Sequence, residues 1–408
     1  MNPEFEVVIQ SLVYGGSGMG RLVDGRAVFI PFTLPGEKVL ARVKEEKKGY
    51  LLAQALEILQ SSPQRIKPRC PHYGICGGCH YQHMAYEQQI DFKKEILAEQ
   101  LRRIGKLEIP LISQTVGSEL AWNYRNALQF HLSPHGKLGF ERSHSHDTLE
   151  IKECHLPCRA LNETWPRLDF EFIPGIERVE LRQGDEDAIL LVLYSQDSTP
   201  PEFETELPIS AVHICPQGQI VLAGNDFLKI SVLGKPLRVN AGSFFQVNQF
   251  IVEKMVSILL EKVHLNRFMV VLDAYCGVGL FSLFLAPLVK RCLGVEVSPS
   301  ACRDYAFNLD ENDNVELYEG SAEEVLPLLE VTPDLVVLDP PRSGVDRRVL
   351  AALVKMAPGQ LAYISCNPAT LARDAKFLIE AGYKLDESIL LDMFPQTFHI
   401  ESLNIFNK

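Results

Sequence analysis

The chain has 408 residues, enough for two or three domains, with an ordinary globular make-up of 46% apolar and 23% charged residues. It contains no run of about 18 or more apolar residues, which argues against a transmembrane helix, and "MNPEFEVVIQSLVYGG" lacks a signal peptide's basic start and apolar core, so a cytoplasmic protein without a membrane partner is expected. The net charge of −12 is unevenly spread: residues 1–130 hold 16 Lys and Arg against 13 Asp and Glu, so a mildly basic N-terminal third suits phosphates as readily as it suits a mixed solvated surface.

Residues 5–58 are a series of short alternating or β-branched runs. Turn signals at Gly15-Gly16, Asp24-Gly25, Pro35-Gly36 and Lys48-Gly49 separate them. Asp24-Gly25, between "RLV" and "RAVFI", predicts a hairpin. Several short strands in so few residues predict a small OB-type barrel, a fold that binds oligonucleotides or docks proteins. Residues 60–69 are polar, with two prolines, and read as a linker. The spacing of Ile90, Phe92, Ile96, Leu97, Leu101 and Ile104 predicts an amphipathic helix over 84–104. Runs such as "RNALQFHL" and "AILLVLYSQ" make 122–235 β-rich. From about 236, strands and helices alternate to the end, the pattern of a doubly wound, mostly parallel sheet. The expected domains are therefore 1–60, 61–235 and 236–408, and the fold class is α/β.

In such a sheet, ligands lie beyond the carboxyl ends of the strands. "VLDAYCGVGLF" (271–281) places Asp273, Tyr275, Gly277 and Gly279 there, and Glu296 ends the next strand, where a carboxylate accepts hydrogen bonds from both hydroxyls of a ribose. The run Gly277-Val278-Gly279-Leu280-Phe281-Ser282 departs from a dinucleotide fingerprint at its third small position, and no Lys or Arg follows to meet a pyrophosphate. A cofactor with a ribose and no phosphates fits better, which points to S-adenosylmethionine. In "LDPPRSG", Asp339 ends a buried strand and Pro340-Pro341 stiffen its exit. Arg342 stands where amino-directed DNA methyltransferases carry an aromatic residue that stacks on a base, which argues against methylation of an exocyclic nitrogen and leaves carbon chemistry or a non-catalytic RNA-binding scaffold that keeps the fold.

Carbon 5 of uracil becomes nucleophilic only after a thiolate adds to carbon 6, and its proton must then be removed, so the reaction needs one cysteine and one base. Cys366, in "LAYISCNPATLARD", follows a strand and opens a helix whose N–H groups are expected to favour a thiolate. Glu401, in "DMFPQTFHIES", is the candidate base; His399 competes with it.

Six stretches in order, "SFFQVNQF", "DAYCGVGLF", "GVEVSPSA", "DPPRSG", "SCNPATLARD" and "DMFPQTFHIE", give the chain its resemblance to the RNA 5-methyluridine methyltransferases, over nearly its whole length. The branch acting on 23S rRNA is most similar, through its N-terminal TRAM domain and cysteine cluster; the tRNA branch is the alternative. The resemblance implies a Rossmann-like catalytic domain and an RNA-binding TRAM barrel over the first 60 residues. It also implies a helix near 84–104 docked on the catalytic domain. Cys366 would be the nucleophile and Glu401 the general base. Gln246, Tyr275, Glu296 and Asp339 would contact S-adenosylmethionine. Ser321 stands where relatives often carry Asn, and Phe244 or Phe245 would line the substrate side. A monomer is expected.

Ten cysteines in a reducing compartment read as thiols, metal ligands or catalysts. "CPHYGICGGC" and "ECHLPC" set Cys70, Cys76 and Cys79 against Cys154 and Cys158. Three close thiolates and one distant one suit either zinc or an iron–sulfur cluster, and spacing does not separate the two. The family resemblance implies [4Fe–4S] with Cys154 as fourth ligand, Cys158 being the alternative. Cys215, Cys276, Cys292 and Cys302 read as core or loop thiols.

Overall fold

The computed structural model describes residues 3–107, 112–170 and 175–408. At the N-terminus five strands, Glu4–Leu12, Ser17–Arg21, Ala27–Pro31, Lys38–Lys47 and Tyr50–Gln60, close into a barrel. Alternation along the strands sends Val7, Ile9, Val28, Ile30, Val39 and Leu51 into a core of the barrel's own. The Asp24-Gly25 turn joins the second and third strands as an antiparallel hairpin, and the Asp24 carboxylate accepts from the Arg26 backbone N–H at 3.0 Å.

A seven-stranded sheet follows. Its spatial order is Gly218–Ala223, Ile209–Cys215, Ile189–Ser195, Ile176–Gln183, Ala127–Leu132, Leu138–Glu141 and Thr148–Glu150. Its core includes Phe130, stacked on Phe140 at 5.0 Å and packed on Trp165 at 5.6 Å. A two-stranded ribbon, Phe227–Val232 with Lys235–Asn240, leads into the C-terminal half.

That half is built on an eight-stranded sheet. Its order is Val315–Glu319, Arg291–Glu296, Val270–Ala274, Leu335–Leu338, Gln360–Ser365, Glu401–Asn407, Lys384–Leu391 and Ile112–Val116. Among these described strands only Glu401–Asn407 runs antiparallel to its neighbours. The central strands Leu335–Leu338 and Gln360–Ser365 are buried along their whole length, as helices on both faces require. The helices after Gly279 and Ser321 are short, Leu280–Leu285 and Ala322–Val325, because Pro287 and Pro327 turn each into a 3-10 stretch.

Two elements of the 61–235 span belong to this sheet rather than to the central one. Helix Tyr86–Arg103 packs on helix Pro368–Glu380, with Ile96, Leu97 and Leu101 in one core with Leu371, Ala375 and Leu378. Each such leucine contributes about 1.5–3 kcal/mol. Strand Ile112–Val116 pairs parallel to Lys384–Leu391 at the sheet edge. The buried face of Tyr86–Arg103 also carries Gln89, Lys93 and Gln100, which the apolar spacing alone does not reveal. Among the described residues no helix is long and apolar enough to cross a membrane.

Candidate active site

Strand Val270–Ala274 lies between Arg291–Glu296 and Leu335–Leu338, so the chain leaves it in one direction and returns on its other side. Such a reversal opens a crevice at the carboxyl ends of the strands. A cleft of about 1490 Å3 occupies it, and Gln246, Tyr275, Glu296, Asp339, Cys366, Glu401, Cys70, Cys76, Cys79 and Cys154 all line it.

The turn after Ala274 is forced into the left-handed region at Tyr275 (φ 65°), Gly277 (φ 55°) and Gly279 (φ 92°). The two glycines serve different ends. A Cβ on Gly279 would stand 2.5 Å from Leu309 Cδ1, so this glycine lets helix and strand pack closely. A Cβ on Gly277 would meet nothing within 4 Å, so its backbone is free for a ligand to approach. Glu296 is anchored beside it: Oε2 accepts from Gly277 N–H at 2.9 Å, and Oε1 accepts from Val297 and Ser298 N–H at 2.9 and 2.7 Å. Beneath lies fully buried Asp273, whose Oδ2 accepts from the Ser282 hydroxyl at 2.6 Å and its N–H at 3.1 Å. Asp273 Oδ1 and the Tyr275 hydroxyl are buried and unpartnered, and of the two Tyr275 lines the cleft, a polar group in want of a ligand. Burial pushes the carboxyls of Asp273 and Asp339 up to about 7, Asp339 being raised further by Asp273.

Cys366 and Glu401 meet through sheet register. Gln360–Ser365 pairs antiparallel with Glu401–Asn407, with Ser365 opposite Ser402. Cys366 follows Ser365 and Glu401 precedes Ser402, so the two stand at neighbouring strand ends, near enough for the Glu401 charge to act on the Cys366 thiol. Cys366 is half-buried and Glu401 only 2% exposed. Desolvation, then the charges of Glu401 and Asp339, push the Cys366 thiol up to about 12, while Arg342 pulls it down. Glu401 is raised well above the usual carboxylate range by burial and by Asp339, and again Arg342 opposes. The expected help from the helix start is not what dominates. Asn367 caps Pro368–Glu380 itself, its Oδ1 accepting from Ala369 N–H at 3.1 Å, so those donors face Asn367. His399 also lines the cleft, but burial and the Arg342 charge lower its pKa to about 3.

The loop carrying Asp339 and Arg342 is stapled to the Cys366 turn. Asn367 Nδ2 donates to Arg342 O at 3.1 Å, and fully buried Asp374 accepts from Val345 N–H and the Tyr363 hydroxyl at 2.9 Å each. The final "RD" of "SCNPATLARD" is thus an architectural part of the site.

Comparison with known proteins agrees with this arrangement. Residues 211–408 match the family model for tRNA (Uracil-5-)-methyltransferase, and residues 3–56 match that of the TRAM domain. An uncharacterized RNA methyltransferase of Aquifex aeolicus is 37% identical over 98% of this chain and 97% of its own, and one of Halalkalibacterium halodurans is 34% identical over 99% and 97%. The Pyrococcus abyssi tRNA (uracil-54, C5)-methyltransferase, solved with S-adenosyl-L-homocysteine, superposes with a TM-score of 0.76 at 25% identity, covering 98% of this chain and 100% of that one. The chain belongs to the RNA (uracil-5-)-methyltransferase family.

The methyltransferase is thus S-adenosylmethionine-dependent, and its expected fold, with barrel, β-rich centre and doubly wound catalytic half, is borne out. The cleft residues fit that cofactor, given the anchored Glu296, the open backbone at Gly277 and the unpartnered Tyr275 hydroxyl. Gln246 sits in a loop held from the central sheet: its carbonyl accepts from Asn126 Nδ2 at 3.2 Å, and Ser243 O accepts from Arg182 at 2.6 Å. Phe244 and Phe245 line the cleft, Phe244 being 71% exposed, and Ser321 lines it too.

The cysteine segment forms another wall. Burial raises Cys79 to about 12 and Cys154 to about 11, and Cys79 is raised further by Cys154, Cys76 and Cys70, so the four thiols are electrostatic neighbours. Cys158 does not line the cleft; its thiol donates to the Gln183 side chain. Among the described residues no three His, Cys, Asp or Glu side chains are drawn close enough to hold a metal ion. The other four cysteines are buried thiols. Sequence reasoning used Arg342 only to exclude one chemistry and missed it as the cation acting on both Cys366 and Glu401. It also missed Tyr14, a barrel residue 5.8 Å from Phe398, ring to ring, whose hydroxyl feels the charges of Cys366, Arg342 and Glu401.

Proposed function

We propose that this methyltransferase modifies carbon 5 of a uridine in structured RNA through a covalent bond between Cys366 and carbon 6, with 23S rRNA as its substrate. The observation that supports the mechanism is that Cys366 and Glu401, at neighbouring strand ends just beyond the Ser365–Ser402 pair, line one cleft together with Asp339. Cys366 Sγ adds to carbon 6 of the extruded base, favoured by the Arg342 charge. S-adenosylmethionine, held by Gln246, Tyr275, Glu296 and Asp339, supplies the methyl group that the activated carbon 5 takes up. Glu401 then removes the carbon 5 proton and Cys366 is eliminated. A carboxylate raised by burial is a stronger base at that moment than an ordinary one. Replacement of Cys366 by Ala is expected to abolish 5-methyluridine formation; full turnover would overturn the assignment. Glu401→Gln is expected to trap methylated RNA on Cys366 as a shifted band on a denaturing gel.

The rRNA assignment is supported by the TRAM barrel together with the cysteine segment. The tRNA reading is favoured by the likeness to the Pyrococcus enzyme. Mapping 5-methyluridine in both RNAs from a deletion strain decides between them. For the cysteines, we propose a [4Fe–4S] cluster on Cys70, Cys76, Cys79 and Cys154. The choice of a cluster over zinc rests on the family resemblance, since three close thiolates and a distant one suit either. Their raised pKa values mean that metal uptake must displace protons. Anaerobically purified protein should absorb broadly in the visible; colourless protein with stoichiometric zinc would refute the cluster. The enzyme is proposed to act as a cytoplasmic monomer.

A further inference from the structure

The residues that lead into Glu401, from Asp392 to Ile400, make a few local hydrogen bonds and are otherwise held by side chains and backbone from another part of the chain. Lys93 Nζ donates to Asp392 Oδ1 at 2.6 Å and to Phe394 O at 2.9 Å. The Tyr124 hydroxyl donates to Pro395 O at 3.1 Å. His80 and Tyr81 N–H both donate to Gln396 O, at 2.8 and 3.0 Å.

Gln396 is the centre of this arrangement. It is 2% exposed and has φ 69°, a left-handed conformation that a residue with a side chain adopts only when its surroundings impose it. Gln89, itself fully buried on helix Tyr86–Arg103, imposes it. Gln89 Oε1 accepts from Gln396 N–H at 2.8 Å, and Gln89 Nε2 donates to Gln396 Oε1 at 3.0 Å. The same Nε2 reaches Tyr81 O at 3.2 Å and Met84 O at 3.3 Å, which fixes the orientation of the amide. Gln396 Nε2 donates to Ala121 O at 3.3 Å, so each polar group of Gln396 is engaged. From there Thr397, Phe398, His399 and Ile400 run directly to Glu401.

We propose that Gln89 is a positioning residue for the general base: its side-chain amide holds Gln396 in the left-handed conformation and so sets where the Glu401 carboxylate stands over the target base. The proposal rests on Glu401 being the base. Only a group that donates and accepts together satisfies Gln396, which an amide does and an isosteric methionine does not.

The elimination step is the readout that distinguishes positioning from general support. In Gln89→Met, addition of Cys366 and methyl transfer should proceed in a single turnover at close to the normal rate. Removal of the carbon 5 proton should slow by about 100-fold, the usual consequence of displacing a catalytic group by about 1 Å. Methylated RNA should then accumulate on the enzyme as a gel-shifted adduct, as is expected of Glu401→Gln run beside it. If Gln89→Met slows both steps equally, or neither, while Glu401→Gln still traps the adduct, the proposal is overturned and the base assignment stands. If Glu401→Gln traps nothing, the base assignment fails and the proposal falls with it. Should Gln89→Met not fold, Gln89→Asn, which keeps the amide but withdraws it by one methylene, is held to the same partition between transfer and elimination.

Discussion

Cys366 in the ligand-free site is a weak nucleophile, because a thiol at about 12 is almost wholly protonated at neutral pH. Arg342 alone among the groups acting on it by charge favours the thiolate. The sign follows directly: only the thiolate reacts, its fraction rises tenfold per pH unit below the pKa, and loss of the cation moves that pKa up. Arg342→Met should therefore lower the rate at which iodoacetamide labels Cys366 at every pH from 7 to 10, by roughly tenfold if the thiol pKa rises by about one. Peptide mass spectrometry measures this, and unchanged or faster labelling would contradict it. At this scale the sequence was readable where chemistry leaves a local signature. A cysteine between a strand and an Asn-Pro helix start can be recognised; that Asn367 keeps the helix donors for itself depends on a side-chain rotamer. Glu401 could be named as a carboxylate downstream, yet its place beside Cys366 depends on an antiparallel pairing that no residue near either one announces.

Helix Tyr86–Arg103 shows the corresponding limit for an element. Its apolar period was legible, and its predicted span of 84–104 differs from the observed one only at the ends. Its polar buried residues were not, because Gln89 and Lys93 look in sequence like interruptions of the stripe. Lys93 and Asp392 form an ion pair with both side chains fully buried. Burial lowers the Lys93 pKa and Asp392 opposes that shift. Removing one partner leaves the other charge stranded, so Lys93→Met should cost about 3–5 kcal/mol of stability, read as a lowered urea midpoint, and Lys93→Met combined with Asp392→Leu should recover most of it. Equal losses in the single and double variants would show that the pair is not the origin of the effect. The shortened helices at Pro287 and Pro327 were legible in principle, since each proline stands inside a run that otherwise reads as helix.

For the whole molecule, the family match over 211–408 covers every proposed catalytic and cofactor residue but only part of what holds them. The edge strand Ile112–Val116 lies outside it, as do Asn126 and Arg182 behind the Gln246 loop and Gln89, Lys93 and Tyr124 behind the Glu401 loop. Residues 211–408 expressed alone should therefore make no 5-methyluridine, whereas the full chain does; turnover by the fragment would refute this. Composition and spacing made the N-terminal barrel and the alternating strands and helices of the C-terminal half legible. They could not reveal that the 61–235 span lends a helix and a strand to the C-terminal sheet, because a pairing between distant segments leaves no trace in either.

That edge strand also orders events during synthesis. Thr115 pairs with Leu390, so 275 residues must be added after the first before the second exists. At about 5–20 residues per second, this takes roughly 14–55 s. For most of that interval Ile96, Leu97 and Leu101 lack the part of their cover that Leu371, Ala375 and Leu378 supply. The nascent chain thus carries an incompletely covered apolar helix face, and its cleft lacks Glu401 until the strand that follows Lys384–Leu391 has been made.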